Sequence, residues 1–190
     1  MKIIDTTISD VKLITPERYD DERGFFMQTW HSDQYRDAGI SIDFVQDNWS
    51  RSFKGALRGL HYQLKSPQSK LIWVTCGEVF DVAVDIRRGS PSFGKWVGQI
   101  ISESNCNQIF IPEGFAHGFL VLSDVADMVY KCGSFYMPGD EYGICWNDQG
   151  IGIEWPLEDM DILLSEKDGQ LPLLADVKTS HLSEWKEKVN

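Results

Sequence analysis

The sequence predicts an all-β fold, a sandwich, jelly roll or barrel with short peripheral helices. Three observations carry this: apolar and polar residues alternate through the middle of the chain, turn residues recur at short intervals, and helical periodicity is weak. The alternation is clearest where Phe80, Val82, Val84 and Ile86 fall on one face of an extended segment, with Asp81 and Asp85 on the other. This is the pattern of a half-buried antiparallel strand. In chain order, Gly24 to Trp30, Leu57 to Leu64, Lys70 to Cys76, the Phe80 segment, Lys95 to Ser102, Gln108 to Ile111, His117 to Leu122 and Asp127 to Tyr136 read as strands. Gly89-Ser-Pro91, Pro112-Glu-Gly114, Pro138-Gly-Asp140 and Asp148-Gln-Gly150 supply turns. Helical pattern is confined to Ser32 to Ala38, with Ser32 as cap and Gly39 as terminator, and to a short helix from Ser180 through Trp185. From about Gly150 the alternation is lost, so residues 1–190 are expected to form a single β domain with a C-terminal peripheral extension.

Composition narrows the function classes. The 190 residues carry 18 Lys and Arg against 29 Asp and Glu, a net charge of −11. Such a deficit of positive charge disfavours nucleic acid or an anionic membrane as a partner. Charges interrupt every apolar run and the N-terminus, Met-Lys-Ile-Ile-Asp, lacks a secretory pattern, so a cytoplasmic protein is expected. The four cysteines, Cys76, Cys106, Cys132 and Cys145, form no Cys-x-x-Cys pair and read as free thiols rather than zinc ligands.

Charge is also uneven along the chain. From Asn48 to Gly77 there are thirty residues with Arg51, Lys54, Arg58, Lys65 and Lys70 but no Asp or Glu. Carboxylates kept away from a basic segment point to a local anion site inside an acidic protein. His61 lies in this window, three residues after Arg58. The two have opposite parity on a regular strand, so a bulge at Gly59 is needed to turn both into one cavity.

Two spacings resemble the cupin jelly roll: Gly55, five residues, His61, and Pro112-Glu-Gly-Phe-Ala-His117. A metal-binding cupin follows its first His with a second two residues later and then a Glu. Here Gln63 takes that place and no acid occurs until Glu78. A site of this kind needs three or four ligands on one wall, so a cupin without metal is expected.

The chain also resembles the dTDP-4-dehydrorhamnose 3,5-epimerases of deoxysugar biosynthesis. The matching segments include Asp21-Glu-Arg-Gly-Phe-Phe26, Gln46-Asp-Asn-Trp-Ser50, Leu57-Arg-Gly-Leu-His-Tyr-Gln63, Asp81-Val-Ala-Val-Asp85, Ile111-Pro-Glu-Gly-Phe-Ala-His-Gly-Phe119 and Leu164-Ser-Glu-Lys-Asp168. The resemblance implies proton abstraction and return at C3 and C5 of dTDP-4-dehydro-6-deoxy-D-glucose, with no cofactor. It implies His61 as base, Asp168 as its partner, Tyr130 as the acid on the opposite face, and Lys70 at the developing enolate oxygen. It further implies that Arg23, Gln28, Gln46, Asp47, Asn48 and Arg58 contact sugar or diphosphate, and that Tyr136 stacks on thymine while Phe26 closes the site. His117, Glu141 and Lys167 follow as ligand contacts. Two local departures are Gln28, where relatives usually carry Glu, and Trp49, often smaller or His. A homodimer is implied as well, with an N-terminal strand reaching into the other subunit. The alternatives are an epimerase acting at C3 or C5 alone, a metal-dependent cupin enzyme, and a sugar-nucleotide binding module without catalysis.

Overall fold

The computed structural model describes residues 1–157 and 160–187. Its strands are β1 (Lys2–Asp5), β2 (Lys12–Thr15), β3 (Arg18–Asp21), β4 (Gly24–Met27), β5 (Gln46–Phe53), β6 (Leu57–Gln63), β7 (Lys70–Cys76), β8 (Glu78–Asp85), β9 (Trp96–Ser102), β10 (Gln108–Ile111), β11 (Phe115–Val121), β12 (Val125–Cys132) and β13 (Glu141–Gly143), with one helix, α1 (Ser32–Asp37). A six-stranded sheet runs β1-β2-β10-β7-β12-β5 and a five-stranded sheet β13-β6-β11-β8-β9, while β3 and β4 form a separate hairpin. The sheets face each other across a core of Ile72, Val74, Ile109, Ile111 and Met128 from the first and Val79, Ala83, Val97, Ile101 and Phe119 from the second. This is the expected jelly-roll sandwich.

Two further apolar clusters lie outside the sheets. α1 lays Tyr35 over Ile14, Leu71 and Phe110 on the outer face of the six-stranded sheet. Leu60, Val82, Val84, Ile86 and Ala116 on the outer face of the five-stranded sheet are covered by Ile151, Trp155, Leu174 and Leu182 of the C-terminal segment. That covering corrects the expectation for β8, which is buried on both faces rather than one. Phe80, Val82 and Val84 pack under the C-terminal segment, while Asp81 and Asp85 point inward and are fully buried. Buried carboxylates require partners. Asp81 accepts from His117 Nε2 at 2.8 Å, and Asp85 is gripped by Arg87, Ser90 and Ser92. Burial would raise the Asp85 pKa, but these bonds outweigh it and hold the carboxyl below its usual range.

The helical expectations are met in part. α1 forms where expected, but its N-cap is His31, without a side-chain cap bond, instead of Ser32. Gly39, at a φ of +86°, ends it. The segment from Ser180 through Trp185 is not a helix: a single 3₁₀ turn at Thr179–His181 gives way to extended chain at Leu182. There the main chain bridges Arg88 with Glu184, and Trp185 N–H donates to Arg88 O. Pairing with the loop that follows β8 outcompetes a turn too short to sustain a helix. β5 had no apolar alternation to reveal it. Its inward residues line a polar cavity and its outward ones are solvent-facing.

The bulge anticipated at Gly59 is present. His117 pairs with His61 and Phe119 with Arg58, so two residues, Gly59 and Leu60, oppose the single Gly118. Gly59 has a φ of +113°, and a Cβ there would sit 2.6 Å from His117 O and 2.7 Å from Gly118 Cα. Gly24, in the exposed hairpin, has a φ of +130° and nothing within 4 Å of a Cβ. Gly59→Ala is therefore expected to destabilise by about 1–3 kcal/mol more than Gly24→Ala, the difference being main-chain collision over torsional strain alone. Urea denaturation of the two variants measures it.

Candidate active site

Two adjoining cavities, of about 270 and 500 Å³, share His61, Lys70, His117, Tyr130 and Glu141 and so make one continuous site. The five-stranded sheet gives one wall, with His61 on β6, His117 on β11 and Glu141 at the start of β13. The six-stranded sheet gives the other, with Gln46 and Asn48 on β5, Lys70 on β7 and Tyr130 on β12. A ligand between them meets His61 from one side and Tyr130 from the other.

His61 is held by the C-terminal segment. Its Nε2 lies 2.7 Å from Asp168 Oδ1, and Asp168 Oδ2 accepts the Gly59 N–H at 3.3 Å. Asp168 is 4% exposed, and its own N–H donates to Ser165 Oγ. A carboxylate only accepts, so Nε2 carries the ring proton and Nδ1 keeps its lone pair as a base. Glu141 Oε1 stands 3.9 Å from that Nδ1. Lys167 pairs with Glu141 at the rim of the larger cavity.

Burial shifts three groups on these walls. Lys70 is pushed down from its usual 10.5 by desolvation, which outweighs the pull of Cys132, Asp81 and Glu141. Tyr130 is pushed above its usual 10 by burial first, then by Cys132 and Glu141 against an opposing Arg58, so it keeps its proton at neutrality. His117 is pushed down by burial despite its bond to Asp81, and stays neutral. The Lys70 Nζ sits 5.9 Å from the centre of the Tyr130 ring, within cation–π range.

The remaining expected residues divide into two groups. Arg58 lines the larger cavity with its Nε donating to Ser52 Oγ, and Tyr136 stands at the mouth of the smaller one. Asp47 does not line it: the period of two along β5 turns it outward, where Lys131 pairs with it at 2.9 Å. Arg23, Phe26 and Gln28 also lie outside the cavity. Arg23 is paired with Asp21 on the hairpin, and Phe26 is 68% exposed.

A family model described as dTDP-4-dehydrorhamnose 3,5-epimerase matches residues 5–176. The chain belongs to that epimerase family. A dTDP-4-dehydrorhamnose 3,5-epimerase from Shigella flexneri is 54% identical over 170 residues, covering 88% of this chain and 93% of the relative. A Neisseria gonorrhoeae protein of the same description is 54% identical over 168 residues, 88% of this chain but 51% of that longer protein. Among solved structures, a Legionella pneumophila dTDP-6-deoxy-D-glucose-3,5-epimerase in complex with dTDP-4-keto-L-rhamnose superposes with a TM-score of 0.95 at 50% identity, covering 98% of this chain and 99% of that one.

Within this epimerase fold, three features escaped the sequence reading. The alternation along β8 puts Asp81 on the solvent face, yet it holds His117. Gln68 lines the smaller cavity, and its place in the acid-free window was the available signal. Gln63, where a metal cupin has its second His, spends its carboxamide on the main chain of Ser66, Phe135 and Met137. Among the described residues no cluster of three or more His, Cys, Asp or Glu is placed to hold a metal, and no helix is long and apolar enough to cross a membrane.

The lowered Lys70 pKa yields a stability prediction. The folded protein binds that proton less tightly than the unfolded chain. Its contribution is therefore complete above 10.5 and is lost as pH falls through the lowered folded-state value. Lys70→Met is accordingly expected to be most stable relative to wild type near neutrality, and to lose that advantage as pH rises toward 10.5. Parallel urea titrations of the two proteins across this range test the sign.

Proposed function

We propose that this site epimerises C3 and C5 of dTDP-4-dehydro-6-deoxy-D-glucose to give dTDP-4-dehydro-L-rhamnose, the chemistry that the family's description names. The observation that carries the reading is the placement of His61 and Tyr130 on facing sheets of one cavity, with Lys70 beside Tyr130. Both carbons flank the C4 ketone, so loss of either proton gives an enolate whose charge rests on O4. Inversion needs a base on one face and a proton donor on the other. His61, oriented by Asp168, takes the proton at Nδ1, and the resulting imidazolium is stabilised by the carboxylate. Tyr130 returns a proton from the opposite wall, its raised pKa keeping it a donor at neutrality. The Lys70 ammonium, in a partly desolvated setting, stabilises the oxyanion more strongly than it would in water. Gln46, Asn48, Arg58, Tyr136, Glu141 and Lys167 are assigned to the nucleotide and sugar, and His117, held by Asp81, to shaping the floor.

The same reading includes a homodimer. Arg23, Phe26 and Gln28 lie outside the cavity of their own chain, on a hairpin exposing Tyr19, Phe25 and Phe26. We assign them to the cavity of a second copy, and the exposed Trp49 and Phe53 on the outer face of β5 to the contact between copies. Light scattering on the eluting protein is expected to give twice the chain mass. Mixing His61→Ala with Arg23→Ala protein is expected to restore activity that neither has alone, and no restoration would place Arg23 outside the site.

Proton NMR in deuterated water, following the C3 and C5 signals separately on chelator-treated protein, tests the reaction. Wild type is expected to exchange both. Exchange at one carbon alone would restrict the activity to a single-centre epimerase. His61→Ala is expected to lose exchange at both by about 10²–10⁴-fold while still binding dTDP. Tyr130→Phe is expected to retain exchange, because the His61 imidazolium trades its proton with the deuterated solvent and returns a deuteron to the face the proton left, while inverted product falls by a similar factor. Equal retention of exchange and inversion in Tyr130→Phe would overturn its role as the acid.

A further inference from the structure

Gln63 ends β6, two residues beyond His61, and is 7% exposed. Its carboxamide makes three bonds, all to main chain. Nε2 donates to Ser66 O at 2.6 Å and to Phe135 O at 3.2 Å, and Oε1 accepts from the Met137 N–H at 2.9 Å. Phe135 and Met137 are the residues on either side of Tyr136. The Tyr136 N–H itself donates to Gln46 Oε1 at 2.9 Å. Three successive residues of one loop are thus pinned by two glutamine side chains, one from each sheet.

Where the ring sits, the loop's other bonds are a long one from the Tyr136 hydroxyl to Glu141 Oε2 at 3.5 Å and one from the Asp140 N–H to Met137 O at 3.0 Å. Phe135, Tyr136 and Met137 are 61%, 49% and 48% exposed, and none belongs to a strand or helix. Nearby, Ser134 Oγ donates to Ser66 O and Pro67 O, and Asp140 accepts the Lys65 and Ser66 N–H groups. These bonds lace the 64–68 turn to both ends of the loop. Gln63 holds its middle. An exposed aromatic on an unpaired loop must be ordered when a ligand stacks on it, and that ordering weakens binding unless the main chain is already fixed.

We propose that Gln63 is a positioning residue for nucleotide binding, its carboxamide fixing the main chain on both sides of Tyr136 so that the ring is presented before the substrate arrives. The proposal rests on the reading that Tyr136 stacks on the base. It also gives the glutamine that replaces the metal-cupin histidine a task of its own: an imidazole, with two ring nitrogens, cannot form all three bonds.

The test compares Gln63→Met, Tyr136→Ala and the double variant by calorimetric titration with dTDP, with steady-state kinetics on the ketosugar. Methionine keeps the bulk and removes every hydrogen bond. Gln63→Met is expected to weaken dTDP and raise KM by about tenfold, the size of a lost buried hydrogen bond, with kcat within about threefold of wild type. In the Tyr136→Ala background the same change is expected to cost no more than about twofold, because the ring it positions is gone. Wild-type dTDP affinity in Gln63→Met with weakened affinity in Tyr136→Ala would overturn the role of Gln63 alone. A fall in kcat matching the rise in KM would overturn it too, marking Gln63 as merely structural. Unchanged affinity in Tyr136→Ala would instead overturn the stacking reading, and the proposal with it. Should Gln63→Met fail to fold, Gln63→Glu is read by the same criteria, since a carboxylate keeps the shape and loses both donated bonds.

Discussion

The carboxylate of Asp168 is the interaction on which the rest of the site depends. A buried carboxylate is tolerable only with donors in place, and both of its donors come from β6: the Gly59 N–H at the bulge and His61 Nε2 two residues on. The bulge is what lets one strand offer a main-chain donor and an imidazole to the same group, and it also turns Arg58 into the cavity with His61. Gly118, opposite, admits the bulge because the main chains approach too closely for any side chain there. A Cβ at Gly118 would lie 2.6 Å from Arg58 O. The geometry of the His61 ring is therefore set by backbone, with the carboxylate as its lock.

Electrostatics then divide the labour between the walls. Depleting acids from residues 48–77 leaves Arg58 and Lys70 available to an anionic ligand in a protein whose net charge is −11. The carboxylates near the cavity arrive from elsewhere in the chain and are spoken for: Asp168 by His61, Asp81 by His117 and Glu141 by Lys167. Desolvation keeps Tyr130 protonated and His117 neutral, so the groups on the two walls differ in readiness to give or take a proton.

Much of this was legible in the sequence, and the misses share a cause. Strands facing the apolar core, such as β7, β9 and β10, announce themselves through Val, Ile and Leu. β5 faces a polar cavity, so its sequence Gln-Asp-Asn-Trp-Ser-Arg-Ser-Phe shows no apolar period, and periodicity alone passes over the strand that carries Gln46 and Asn48. β8 was read with the correct period and the wrong surroundings, because nothing local reveals that a segment some seventy residues later covers its outer face. Motif order fixes a residue's identity without its direction. Asp47 shares its motif with Gln46 and Asn48 yet points the other way. Arg23 and Phe26 lie on the separate β3–β4 hairpin and Gln28 just past it, outside the cavity of their own chain, which motif order does not reveal.

The C-terminal segment has a consequence in time as well as space. His61 and Asp168 are separated by 107 positions, and every strand of both sheets lies before residue 144. A chain emerging from a ribosome carries the thirteen strands of the described residues before it carries the carboxylate that orients the His61 ring. The imidazole has its tautomer-fixing partner only once Asp168 is seated against β6. The carboxylate that fixes the His61 ring is thus synthesised after every strand that lines the cavity.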